Sequence, residues 1–148
     1  FPAVQDILKY IVDKGKSQVK NRSRVGENFY MRGVFNSVLI AESIRAAQGK
    51  FGNRVVNGEE TRWGMENLNL TSARMAEIGL QGFTNPIKIS CDDHANNGPI
   101  FIQQWNGKSW ERVSGWINSM DRVRPMLEKA AAAYKTKNNV PNRTIPCS

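Results

Sequence analysis

The residues that most often do chemistry are scarce in this chain. It holds one histidine, His94, and two cysteines, Cys91 and Cys147, in 148 residues. With no second histidine and no CxxC pair, the common zinc and thioredoxin-like arrangements have no support, because they need clustered ligands or paired thiols. GxGxxG, GxxxxGK[ST] and GxSxG are equally absent, which removes dinucleotide binding, P-loop phosphate binding and the hydrolase nucleophile elbow. No apolar run approaches the about 18 residues that cross a bilayer. The first residues, Phe1-Pro2-Ala3-Val4-Gln5-Asp6, lack the basic and apolar regions of a signal peptide, so any such leader is expected outside the chain.

What is present is enough for a folded core: 40% of the residues are hydrophobic, in a chain the length of one ordinary domain. Lys and Arg outnumber Asp and Glu by 21 to 13, a formal charge of +8, which raises the question of nucleic acid. The basic residues are scattered, from Lys14 to Arg24, then Arg45, Lys50 and Arg54, then Lys135, Lys137 and Arg143. With no aromatic stacking signature beside them, they read as a solvated surface, and no nucleic-acid partner is expected. Cys91 and Cys147 allow two readings: a disulfide, which implies an oxidising compartment, or two buried free thiols.

Periodicity supplies the elements. Val4, Ile7, Leu8, Ile11 and Val12 follow Pro2 at helical spacing and stop before Gly15. A second, long helix is expected from about Asn28 to Gln48 with Gly49 as its C-terminal cap, and Gly33 inside it points to close packing against another backbone. Asn57-Gly58-Glu59-Glu60 has the form of an N-cap with its reciprocal carboxylate, opening a third helix that carries Trp63, Met65, Leu68 and Leu70. A short fourth spans Ser72 to Ile78, ended by Gly79. Ile87-Lys88-Ile89-Ser90 alternates as a strand, and the strands flanking Asn106-Gly107 predict a hairpin with a type I′ turn. Val123, Met126, Leu127, Ala130 and Tyr134 mark a last helix, before a proline-rich extended tail. Helices come first and short strands later, too few strands to cover the helices, so the chain reads as part of a larger α/β structure.

No catalytic constellation emerges, and neither an enzyme, a metal site nor a cofactor is expected. His94, in Cys91-Asp92-Asp93-His94, reads first as a hydrogen-bonded turn residue and second as a base or metal ligand. Glu59-Glu60 and Asp92-Asp93 are adjacent in sequence, so their side chains diverge rather than face each other. The remaining candidates are aromatic: Phe29, Tyr30, Trp63, Trp105, Trp110 and Trp116 suit either a ligand cleft or a core.

Phe1-Pro2-Ala3-Val4-Gln5-Asp6-Ile7-Leu8, Tyr30-Met31-Arg32-Gly33, Glu42-Ser43-Ile44-Arg45-Ala46-Ala47, Gly58 to Glu66, Asp93-His94 and Ile102-Gln103-Gln104-Trp105-Asn106-Gly107-Lys108 occur in this order along nearly the whole chain. Together they resemble the C-terminal portion of type I periplasmic solute-binding proteins of ABC transporters, the branched-chain amino acid and aromatic acid binding family. The resemblance implies an α/β fold class: part of a two-lobed fold of three-layer αβα lobes, with a terminal β-hairpin and helix. It implies that residues 1-24 and about 95-148 belong to the second lobe and about 25-94 to the first.

It further implies capture of a small amino acid or aromatic carboxylate between lobes that close about a hinge, delivery to an ABC permease, and a periplasmic or extracellular location. The N-terminal portion of the same protein, as a separate chain, would complete the fold. The ligand-binding residues it implies are Tyr30, Arg32 and His94, and Cys91 with Cys147 would form the disulfide. A ligand-sensing receptor domain of the same fold, and a basic nucleic-acid-binding module, are the alternatives left open.

Overall fold

The computed structural model of the protein describes residues 2–94, 98–118 and 120–142. They fall into two compact units, Phe1–His94 and Ala95–Ser148.

In the first unit, Pro2 opens helix α1 (Pro2–Ile7), where a missing N–H costs nothing. The backbone then widens into one π-helical turn, Leu8–Val12, and leaves it at Gly15, whose φ of +66° favours glycine. A 3₁₀ turn at Arg22–Arg24 is capped by the Asn21 side chain, which accepts from the Ser23 N–H. Helix α2 runs Asn28–Phe51, longer than the sequence suggests. Gly49 lies inside it and the terminating residue is Gly52, at φ +101°. Apolar spacing alone does not distinguish two glycines within one turn; the backbone dihedral does.

Helix α3 (Gly58–Glu66) begins with the expected capping box: Asn57 accepts from the Glu60 N–H, and Glu60 accepts in return from the Asn57 N–H. The Glu60 carboxylate also holds Arg54, at 2.5 Å and 3.0 Å. Strand β1 (Asn69–Leu70), helix α4 (Ser72–Glu77) and strand β2 (Ile87–Lys88) follow. β1 and β2 pair antiparallel, Leu70 opposite Ile87.

The core of this unit gathers on that strand pair. Leu70, Met75, Leu80 and Ile87 are buried together, with Phe35, Val38, Leu39 and Phe83 packed around them. Phe35 and Phe83 meet at a ring separation of 5.3 Å. α1 is fastened to the same core through the Ala3 N–H, which donates to the Gly79 carbonyl at 3.0 Å.

The second unit contains strands β3 (Gln103–Trp105) and β4 (Trp110–Arg112) and helix α5 (Met120–Lys137). β3 and β4 form the expected hairpin, Trp105 opposite Trp110, and an isolated bridge continues it at Ile100 and Ile117. Its turn differs from the type I′ expectation. Positive φ occurs at Gly107, +98°, and not at Asn106 or Lys108, and the Asn106 N–H donates to the Ser109 carbonyl. Gly107 is thus the first central residue, the pattern of a type II′ turn. Asn106 instead uses its side chain, accepting from the backbone N–H groups of Lys108 and Ser109, both at 2.8 Å.

Among the described residues each sheet has two strands, both pairs antiparallel, and the helices dominate.

Candidate functional site

Three places in the first unit concentrate functional groups. The first is Glu42, buried on α2. Arg74 from α4 grips it with two guanidinium nitrogens, at 2.8 Å and 3.0 Å, and Arg45 from the next turn of α2 adds bonds at 2.8 Å and 3.0 Å. Hydrogen bonds from Arg74 lower the Glu42 pKa to about 2, against the raising effect of burial, with Arg45 helping. Arg74 also holds Glu77 at 2.8 Å, and its own pKa is raised by these carboxylates. Every charge here is matched, so the cluster serves to lock α4 onto α2 rather than to hold a ligand.

The second place is a cavity of about 270 Å³ lined by Arg62, Met65, Glu66, Ile89 and His94. Glu66, at the end of α3, is buried; Arg62 reaches both its oxygens at 3.2 Å and His94 Nε2 lies 3.3 Å from one of them. Here the structure places a residue that the sequence reading singled out. His94 is exposed, with its Nε2 facing the Glu66 carboxylate. Glu66 and Arg62, which sequence reasoning did not single out, sit on one α3 face by their i, i+4 spacing; nothing in the sequence links them to His94.

The third place surrounds Tyr30, in the first turn of α2. One open cleft of about 630 Å³ is lined by Ile7, Ile11, Phe29, Tyr30 and Val34 among others. A second, of about 550 Å³, has Gln18, Lys20, Asn21 and Arg24 beside Tyr30. Tyr30 thus stands between an apolar cleft and a polar, partly basic one, half-buried. Arg32, two residues on, is exposed and lines neither cleft. The structure therefore brings neither Arg32 nor His94 to Tyr30 in one pocket.

Gly33 borders the apolar cleft, and a Cβ there would meet nothing within 4 Å. The close backbone packing expected at Gly33 occurs instead at Gly64. Cys91 is disulfide-bonded; Cys147, the other cysteine of the sequence, lies outside the described residues. Among the described residues no group of three His, Cys, Asp or Glu is placed to hold a metal ion.

No protein-family model matches the chain, and no curated protein matches it. Among solved structures it is similar to a chain described as the crystal structure of an ABC transporter permease from the Pseudomonas fluorescens group, with a TM-score of 0.81 and 38% identity over 96% of this chain. The match spans 34% of that chain, so this sequence corresponds to about a third of its neighbour's length. The association with ABC transporters drawn from the sequence is supported by that neighbour. The finer readings are corrected by it. A permease is the membrane component of such a system, so a solute-binding protein, and with it a periplasmic or extracellular location, is not what this likeness points to.

Proposed function

We propose that the chain is a water-facing part of a membrane-associated component of an ABC transport system, of the kind named for its structural neighbour. The observation that carries this reading is the similarity itself, 38% identity and a TM-score of 0.81 over 96% of the chain. A likeness that extends through both units ties the whole sequence, and not one borrowed motif, to that protein.

The charges support a position beside the bilayer for these residues. At 24 residues, α2 is about 36 Å long and has the reach to span a membrane. It nevertheless carries Arg32, Glu42, Arg45 and Lys50, and each charge near a bilayer centre costs about 3 kcal/mol. α5 is shorter and more charged, with Asp121, Arg122, Arg124, Glu128, Lys129, Lys135 and Lys137. No helix among the described residues is long and apolar enough to cross a membrane.

On this reading the chain does no covalent chemistry and needs no cofactor. Its partners are the other components of the transport system and a further portion of the same protein, either continuous with it or present as a separate chain. The clefts around Tyr30 and the cavity at His94 are surfaces available to those partners or to the transported solute.

The test is an in-frame deletion of the codons for these residues at the native locus, followed by transport measurements with a panel of radiolabelled small solutes. Loss of transport of one solute class, restored by a plasmid copy, is the expected result. Unchanged transport across the panel, with the truncated protein still made, overturns the reading.

A further inference from the structure

The turn between β3 and β4 gathers the parts of an acyl-transfer reaction around one side chain. The acyl carbon is Cγ of Asn106. Its Oδ1 accepts from the backbone N–H groups of Lys108 and Ser109, both at 2.8 Å. Two N–H donors aimed at one carbonyl oxygen are the arrangement that stabilises the negative charge of a tetrahedral intermediate. The amide nitrogen, Nδ2, donates to Ser109 Oγ at 3.3 Å and to the Glu111 carboxylate. The nucleophile is the next residue in the chain. Gly107 follows Asn106, and its backbone nitrogen closes a succinimide ring when it attacks Cγ. As a glycine it has no Cβ to obstruct that closure, and its N–H has no acceptor among the described residues.

Asn57-Gly58 has the same two residues without the same surroundings. Asn57 Oδ1 accepts from the Glu60 N–H at 2.9 Å as part of the capping box, and Gly58 is fixed as the first residue of α3. The pairing of a doubly held oxygen with a proton-carrying hydroxyl at the amide nitrogen belongs to Asn106.

We propose that Asn106-Gly107 is a self-modification site, at which the folded turn promotes loss of the Asn106 side-chain amide. The Gly107 N–H gives its proton to hydroxide, its nitrogen bonds to Cγ, and the charge that collects on Oδ1 is held by the Lys108 and Ser109 N–H groups. The Ser109 hydroxyl passes a proton to Nδ2, the Cγ–Nδ2 bond breaks and ammonia departs, and the serine recovers its proton from water. Water then opens the succinimide at either ring C–N bond, leaving aspartate or isoaspartate. Either product puts a carboxylate where an amide had donated to Glu111, and like charges placed together weaken a strand pair. The conversion therefore loosens the hairpin at its Trp105–Trp110 end. It is a change in the chain itself rather than a reaction on a substrate, and it does not depend on the transport reading.

The experiment incubates the full gene product at neutral pH, folded in buffer and unfolded in guanidinium. Samples are digested at low pH and mapped by mass spectrometry, with electron-transfer fragmentation to separate isoaspartate from aspartate. Asn106 is expected to lose its amide at least about 10-fold faster in the folded protein than in the unfolded chain, a fraction of what such donors contribute in a water-excluded site. Ser109→Ala keeps the backbone donor and removes the hydroxyl, so its folded-state rate is expected to fall about 10-fold, with the cross-strand contact between Trp105 and Trp110 retained by NMR. The proposal is overturned if the folded wild type converts Asn106 no faster than the unfolded chain, or if Ser109→Ala with its hairpin retained converts at the wild-type rate. Should that variant lose its hairpin, the folded-to-unfolded ratio of the wild type decides alone.

Discussion

Gly64 on α3 lies against the carbonyl oxygen of Ser43 on α2, so close that a Cβ built on it would collide with that oxygen and would sit 3.1 Å from the Ala47 Cβ. This approach sets the crossing of the two helices. Gly64→Ala is expected to destabilise the protein by about 2 kcal/mol, within the range for overpacking. Gly33→Ala is expected to do the opposite, stabilising by about 0.5–1 kcal/mol, because its Cβ would enter open space. Urea denaturation of the two variants against the wild type checks both signs.

The Glu42–Arg74 pairing carries a pH dependence with a definite direction. The folded-state pKa of Glu42 is lowered from 4.5 to about 2, chiefly by hydrogen bonds from Arg74. Its contribution is therefore fully present above about pH 4.5 and is lost as pH falls toward 2, because the unfolded chain takes up the proton first. A contribution of about 2 kcal/mol is expected, allowing for the partial exposure of the arginines. Comparing wild type with Glu42→Gln at pH 6 and at pH 2.5 isolates it: the stability gap between the two proteins should shrink at the lower pH. A gap that stays constant contradicts the assignment.

Core and cleft should respond differently to truncation. Leu80 is 1% exposed at the centre of the first unit, and Leu80→Ala is expected to cost about 3 kcal/mol. Tyr30 stands half-buried between two open clefts, and Tyr30→Ala is expected to cost less than about 1.5 kcal/mol. Thermal melts of both variants in the full protein measure the difference.

Because Cys91 is in a disulfide, it should resist iodoacetamide even in urea until a reductant is added. Peptide mass spectrometry then finds the carbamidomethyl group on Cys91 only in the reduced sample. Modification without reductant would contradict the bonded state.

The legible parts of this fold are those with local causes. The helices announced themselves by apolar spacing, and Asn57 with Glu60 spelled out a capping box that the structure contains. β1 was read into the third helix, which ends at Glu66, because its two residues, Asn69 and Leu70, are too few to show alternation. The close packing expected at Gly33 lies at Gly64 instead, because sequence shows a missing side chain but not the neighbour that requires it. The Glu66–His94 contact joins residues far apart in the chain, and no spacing rule reaches that far. The transport role was misread in its finer part for a related reason. Segments such as Gly58–Glu66 are occupied by capping and ion-pairing, so they report how the chain folds more directly than what it does.

Where the full protein resides tests the central claim most directly. Cells expressing the epitope-tagged gene product are lysed and fractionated, and the membranes are washed with alkaline carbonate, which strips peripheral proteins. The account predicts that the tagged protein stays in the washed membranes, while protease added to them cleaves within the hydrophilic stretch of this chain from Lys14 to Arg24. Quantitative recovery of the protein in the fraction without membranes, before any carbonate wash, would contradict it.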